Sequence, residues 1–254
     1  MQYVCSDIHG MYDRYIKAIQ RIGENDTLHI LGDVIDRGPD GIRILKDMMT
    51  RQNVELYIGN HELMMLDALT ERKKGGDTPN AAMWVSDANG GGKTAIDLIS
   101  MPEEKQSAIE RYLRHSLIQN RIIVDGKDYL LCHSYFLQDE GVKTVKYSFQ
   151  KHGLGRPKHD DLFNAVWYSP FRDDMHVPLG MYTQYSDITF IIGHVPVQTE
   201  SEVTVYGTGN VINVDCGCAY GHVLAESGAE VTSLALLCLD LLRAAPEECV
   251  TYIE

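Results

Sequence analysis

A chain of 254 residues, 44% of them hydrophobic, is long enough for one large domain with a well-buried core. A formal net charge of −13 argues against a nucleic-acid polymer as partner, because binding a phosphate backbone calls for a basic face. Six cysteines are too sparse for a disulfide scaffold, and Cys216-Gly217-Cys218 lacks the spacing of a zinc knuckle or redox pair, so the thiols read as reduced and the protein as cytoplasmic.

The chain enters an apolar run at residues 3–5 without a charged leader, so no signal peptide is expected. Residues 3–7 predict a strand within a segment ending Cys5-Ser6-Asp7-Ile8-His9-Gly10. A helix follows, with Tyr12, Ile16, Ile19 and Ile22 on one face and Gly23 as its stop. Residues 28–31 and 54–58 are short apolar runs that predict buried strands. The first leads into Gly32-Asp33-Val34-Ile35-Asp36-Arg37-Gly38 and the second into Gly59-Asn60-His61-Glu62. Between them Ile42, Leu45, Met48 and Met49 recur at helical spacing. The result is a strand–helix–strand unit, whose strands pair in parallel and whose ligands sit beyond the strands' carboxyl ends.

Residues 61–118 read as largely helical, an insertion within a single domain spanning 1–254. Helices are expected over 62–69, 80–87 and 94–99, with a glycine run at 90–92. Ser100-x-x-Glu103, with Pro102 between, predicts a capping-box start for a further helix with Ile109, Tyr112, Leu113 and Leu117 on its apolar face. Residues 121–124 and 128–132 predict a hairpin turning at Asp125-Gly126. Residues 134–187 show no readable period. A strand over 188–192 ends in Gly193-His194, and 203–206 with 211–215 predict a second hairpin across Gly207-Thr208-Gly209-Asn210. Strands at 222–225 and 232–239 make the last third β-rich. The stretch 234–242 is broken by Asp240 and too short for a bilayer, so no membrane partner is expected.

Five predicted strands end in possible metal ligands: Asp7 with His9, Asp33, Asn60, His133 and His194. All are nitrogen or oxygen donors, a set that suits manganese, iron or zinc better than a thiolate site does. Two divalent ions need about six such residues if one carboxylate bridges them, and Asp33 is the most central. Singly, each residue has a bland reading: His133 or His194 as a satisfied core histidine, Asp36 and Arg37 as an ion pair in a turn. Together, at five strand ends, they point to a dinuclear centre whose residual positive charge attracts a phosphoryl dianion.

Asp7-x-His9, the Gly32–Gly38 motif, Gly59-Asn60-His61-Glu62 and the strand-end His133 and His194 resemble the phosphoprotein phosphatase family of metallophosphoesterases. Residues 60–69, 84–92 and 191–194 resemble its small bacterial and phage members, such as the bacteriophage lambda protein phosphatase. The resemblance implies an α/β fold with two mixed β-sheets packed face to face, helices outside and the dinuclear site at the strand ends. It implies Asp7, His9 and Asp33 on one metal, and Asp33, Asn60, His133 and His194 on the other. It implies Arg37 and Asn60 as phosphoryl-oxygen binders, and His61 as general acid with Asp36 sustaining its proton to higher pH. A second phosphate-binding arginine is expected near Trp167, and Arg172 is the candidate, with pairing to Asp173 or Asp174 as its alternative.

The activity implied is that of a metal-dependent phosphomonoesterase, a serine/threonine protein phosphatase with two divalent ions, manganese first and iron or zinc after it. A water between the metals would attack in line, without a phosphoenzyme. A phosphoprotein or small phosphoester would be the substrate. The same motifs serve symmetrical bis(5'-nucleosyl)-tetraphosphate hydrolases, from which Asp36 and Glu62 distinguish this chain. A third possibility is an inactive metal-binding scaffold.

Gly90-Gly91-Gly92-Lys93-Thr94 imitates the end of a P-loop, but position 87 is aspartate and no strand precedes it, so nucleotide binding there is rejected. Lys143, Lys146, Lys151, Arg156 and Lys158 make residues 143–159 basic, either a solvated loop or a stretch that steers acidic phosphopeptides. His152 and His159 are expected in solvent, and Cys216 and Cys218 as packing groups.

Overall fold

Successive side chains of a strand point to opposite faces of its sheet, which sorts the interior into three layers. In the computed structural model, which describes residues 1–75, 78–147, 159–197, 205–220 and 232–254, two mixed sheets lie face to face. The first has strand order β11-β10-β1-β2-β3, with β1 (Gln2–Cys5), β2 (Thr27–Ile30) and β3 (Val54–Leu56) parallel. β10 (Leu234–Cys238) and β11 (Val250–Ile253) extend it in antiparallel fashion. The second has order β6-β4-β5-β7-β9-β8. Its centre is parallel: β5 (Lys127–Cys132), β7 (Ile188–Ile192) and β9 (Val211–Asn213). β4 (Leu117–Val124), β6 (Val145–Lys146) and β8 (Tyr206–Thr208) are antiparallel to their neighbours.

Val4, Leu31, Tyr57 and Leu237 of the first sheet meet Tyr129, Leu131, Ile191 and Val214 of the second. The alternate residues Cys5, Leu28, Ile30 and Leu56 face outward, under the helices. These are α1 (Tyr12–Arg21), α2 (Gly41–Met48), α3 (Asn60–Lys74), α6 (Glu103–His115) and α7 (His159–Trp167). On the far side of the second sheet, Leu130, Phe190 and Ile192 pack against Phe136 and against Tyr182 of α8 (Gly180–Thr183). The expected pair of mixed sheets with helices outside is therefore the observed architecture.

The helices α3, α4 (Pro79–Trp84), α5 (Gly92–Ile99) and α6 fill the connection from β3 to β4. Their boundaries differ from expectation: α3 runs on to Lys74, α4 stops at Trp84, and Leu117, expected on the apolar face of the last helix, instead opens β4. Ser100 does not cap α6: its hydroxyl donates to the Ile96 carbonyl and closes α5, while Pro102 stands at the N-cap of α6. The hairpin β4–β5 turns as expected, with Val124 opposite Lys127 and both Asp125 (φ 48) and Gly126 (φ 74) left-handed. The β8–β9 turn is tighter than the four residues expected, because Thr208 already pairs with Val211. The Asn210 side-chain amide there donates to the carbonyls of Tyr182, Tyr185 and Ile188, tying the turn to the α8–β7 connection. The strand expected at 222–225, residues 203–204, His152, Lys151, Arg156 and Lys158 lie outside the described residues.

Candidate metal centre

Five parallel-paired strands, β1, β2, β3, β5 and β7, deliver the predicted residues to one edge of the sandwich. Their backbones turn sharply there. Of the eight non-glycine residues with positive φ among those described, six belong to this edge: Asp7 (54), His9 (46), Asp33 (51), Asp36 (70), Arg37 (63) and His194 (74). Such conformations are costly for side chains with a Cβ and persist only where the surroundings impose them.

Asp33 stands at the middle. Its Oδ2 lies 3.7 Å from His9 Nε2 and 3.9 Å from His61 Nε2, and its Oδ1 3.7 Å from His133 Nε2. These gaps are too long for hydrogen bonds, but two donors each bound about 2.1 Å from one ion stand no more than about 4.2 Å apart. Ligand atoms of His9, Asp33 and His61 fall within 4.8 Å of one another, as do those of Asp33, His133 and His194. Asp33 is the residue common to both groups. Asp7 Oδ1 lies 4.0 Å from His9 Nε2, and Asn60 Oδ1 3.1 Å from His133 Nε2. All six predicted ligands are thus in one place.

Backbone carbonyls orient the rings. His9 Nδ1 lies 3.0 Å from the Ile35 oxygen and His133 Nδ1 2.6 Å from that of Leu31, which puts the proton on Nδ1 and turns the Nε2 lone pair inward. Burial lowers the basicity of His9, His133 and His194, further reduced at His9 by Arg37 and at His194 by His133 and Arg172. Burial raises the Asp33 carboxyl well above its usual range, and the charges of Asp7 and Glu62 add to this. Asp215, just past β9, is raised by burial and by Asp7. Neutral imidazoles beside crowded carboxyls form a donor set that a divalent cation would fit.

The frame around these groups is stiff. Asp7 Oδ2 accepts the His194 backbone N–H at 2.9 Å, and Asp33 Oδ1 that of His61 at 3.0 Å. A Cβ on Gly59 would sit 2.2 Å from Asp33 Oδ1, so only glycine fits there. The fully buried Glu62 carboxylate accepts N–H groups from Asp33 (2.8 Å), Val34 (2.9 Å) and Gly59 (3.0 Å), joining the loops after β2 and β3.

His61 Nδ1 lies 2.7 Å from Asp36 Oδ2, and its Nε2, buried, has no hydrogen-bond partner. Burial lowers the basicity of His61, and Asp36 opposes this by pulling its proton to higher pH, in the direction expected of it. Arg37 Nη1 lies 2.8 Å from His9 Nε2, and Arg172 Nη1 3.3 Å from His194 Nε2, so one guanidinium borders each half of the cluster. Arg172 also forks onto Asp174 (2.9 and 2.7 Å), the pairing expected as its alternative.

Some participants were not anticipated. Trp84 donates its indole N–H to Asp36 Oδ2 at 2.8 Å, Thr94 Oγ1 accepts the Asp36 N–H at 3.1 Å, and the Gly90 carbonyl accepts the Arg37 N–H at 3.2 Å. The false P-loop thus buttresses the Asp36-Arg37 turn. Cys216 and Cys218 are buried free thiols pushed up to about 12 by burial, as packing groups would be. His159 is half exposed and pairs with Asp67 at 2.8 Å, while Lys143 and Lys146 are exposed.

The calcineurin-like phosphoesterase family profile matches residues 3–225, a span that holds every residue of this cluster. The chain belongs to that family. That family is one of phosphoesterases that use divalent metals, and the clustered ligand atoms of this chain are candidates to hold them. This metallophosphoesterase is 28% identical over 153 residues to a symmetrical bis(5'-nucleosyl)-tetraphosphatase of Acidovorax sp. (strain JS42), covering 58% of this chain and 48% of that protein. It is 37% identical over 68 residues to the enzyme so named from Salmonella arizonae, 25% of this chain and 24% of that one. The chain therefore spans about half or less of the curated relatives it matches. Among solved structures, a serine/threonine phosphatase of Saccharomyces cerevisiae superposes with a TM-score of 0.57 at 14% identity, covering 100% of this chain and 79% of that one. A cold-active protein-tyrosine phosphatase of Shewanella SP. gives 0.56 at 20%, covering 94% and 75%, and a putative diadenosine tetraphosphatase gives 0.52 at 16%, covering 99% and 92%. At such identities the likeness is one of fold. No helix among the described residues is long and apolar enough to cross a membrane.

Proposed function

We propose that this metallophosphoesterase is a phosphomonoesterase acting on phosphoserine and phosphothreonine in proteins, with two divalent ions, manganese first among them. The observation that carries this reading is the His61–Asp36 pair: Nδ1 engaged at 2.7 Å, and Nε2 buried, unpartnered and 3.9 Å from Asp33 Oδ2. Alkyl phosphates need a proton on the leaving oxygen, and this nitrogen would give one.

Asp7, His9 and Asp33 would hold one ion; Asp33, Asn60, His133 and His194 the other. When bound, such a pair supplies Lewis acidity and makes water acidic enough to act as nucleophile near neutral pH. Arg37 and Arg172, one at each half, would bind the phosphoryl oxygens together with Asn60. Asp36 would hold the Nδ1 proton and so fix the ring, leaving the Nε2 proton to pass to the serine oxygen. A histidine made less basic by burial gives up that proton more readily.

A second reading is symmetrical bis(5'-nucleosyl)-tetraphosphate hydrolysis, favoured by the curated relatives. The test compares a phosphoserine peptide with diadenosine tetraphosphate on manganese-reconstituted enzyme. A higher kcat/KM on the peptide supports the first reading; a higher one on the dinucleotide supports the second. His61→Asn should slow the phosphoserine peptide by roughly 10²–10⁴ and nitrophenyl phosphate far less, because a nitrophenolate leaves without a proton. Equal losses would remove His61 as the acid.

A further inference from the structure

Asp36 has two donors on one oxygen and none on the other. His61 Nδ1 and the Trp84 indole nitrogen lie 2.7 and 2.8 Å from Oδ2, while Oδ1 is buried without a partner. Asp36 is fully buried and its backbone left-handed at φ 70, with its N–H held by Thr94 Oγ1. Trp84 comes from α4, 48 residues further along the chain, and the following loop packs back on it. Gly91 donates to the Trp84 carbonyl at 3.2 Å, and a Cβ on Gly91 would stand 2.4 Å from that oxygen.

We infer that Trp84 is a positioning residue: its indole N–H fixes the rotation of the Asp36 carboxylate, and thereby aims His61 Nε2 at the leaving oxygen. The inference rests on the reading of His61 as general acid. A carboxylate held through one oxygen by a single histidine can pivot toward its free oxygen; a second donor at Oδ2 makes that pivot break two bonds instead of one. A buried tryptophan N–H usually finds some acceptor, so burial alone would explain a bond. What singles out this bond is the acceptor, the same oxygen that orients the acid. Misplacement of a catalytic group by about 1 Å costs on the order of 10²-fold, and only substrates that need the acid would register it.

The test removes the N–H and keeps a ring. Trp84→Phe in the manganese-loaded enzyme should lower kcat on a phosphoserine peptide roughly 10–100-fold, leave its KM and the metal content unchanged, and barely slow nitrophenyl phosphate. In a His61→Asn background the same change should add nothing. A second measurement avoids any Trp84 variant. The chain has two tryptophans, so 15N-indole labelling gives two resonances, assigned with Trp167→Phe. The Trp84 resonance should lie downfield and move on Asp36→Asn. An unmoved resonance, or equal losses on the two substrates in Trp84→Phe, overturns the positioning role. If His61→Asn discriminates between the substrates and Trp84→Phe does not, the positioning role alone fails. If His61→Asn itself costs both equally, the general-acid reading fails and the positioning role with it.

Discussion

Glu62 offers a perturbation whose size can be worked from its bonds. Its Oε2 accepts from Asp33 and Gly59 at 2.8 and 3.0 Å, and its Oε1 from Val34 and Ile35 at 2.9 and 3.4 Å. Glu62→Gln keeps the volume and removes the charge and one acceptor. The better amide orientation keeps the oxygen toward Asp33 and Gly59 and turns the NH2 onto the Val34 N–H. That buried donor is then unsatisfied, at about 1–3 kcal/mol. The Ile35 bond is long and contributes little. The two retained bonds change from charge-assisted to neutral, roughly 0.5–1 kcal/mol each. Burial raises the Glu62 carboxyl above its ordinary range, so losing the charge offsets part of this cost. The net loss is about 2 kcal/mol. Urea unfolding of chelator-treated protein, followed by circular dichroism, should show a midpoint about 1 M lower, with a slope of about 2–3 kcal/mol/M. Chelation matters, because Glu62 is assigned to the frame and not to a metal. A midpoint within about 0.2 M of wild type would refute the view that this carboxylate joins the two loops.

Asp33→Asn should weaken manganese binding by roughly 10²-fold or more in both positions, read by metal analysis after dialysis; loss at one position only would end its bridging role. Glu110 in α6 gives a pH test: burial alone would raise its carboxyl, but hydrogen bonds from Lys73 (2.6 Å) and Arg114 (3.0 Å) overcome that and hold it below 4.5. Its stabilisation is present above that value and lost as pH falls through the lower folded value. Glu110→Gln should therefore cost about 1–2 kcal/mol at pH 7, and the gap to wild type should narrow below pH 4.5; a gap constant in pH would refute the pairing.

The metal cluster was legible because each contributing strand is a short apolar run with a polar, metal-capable residue just beyond its end. Side-chain bonds across the fold were not. Nothing near Trp84 in the chain announces Asp36, and Glu62 read as a motif letter before its carboxylate was seen holding two loops. Ser100 shows a local signal with two possible outcomes: the hydroxyl that could cap α6 reaches back four residues to close α5. The described parts of 134–187, residues 134–147 and 159–187, were opaque because long-range contacts shape them. Ser134 Oγ donates to the Tyr168 carbonyl, Tyr182 OH donates to the Ser134 carbonyl, and α8 has four residues, too few to show a period.

The six left-handed residues at the centre carry a consequence for anyone who would stabilise this protein. Each costs roughly 1 kcal/mol relative to glycine, about 6 kcal/mol together, against a typical net stability of 5–15 kcal/mol. Glycine at Arg37 or His194 would relax the backbone and remove a group that the proposed reaction uses. Selection for heat resistance alone would therefore favour variants that erase the site, a trade-off between stability and activity written into its backbone angles. Any thermostability screen on this scaffold has to score turnover in the same round, and the gains compatible with function lie elsewhere, in the helices and outer strands.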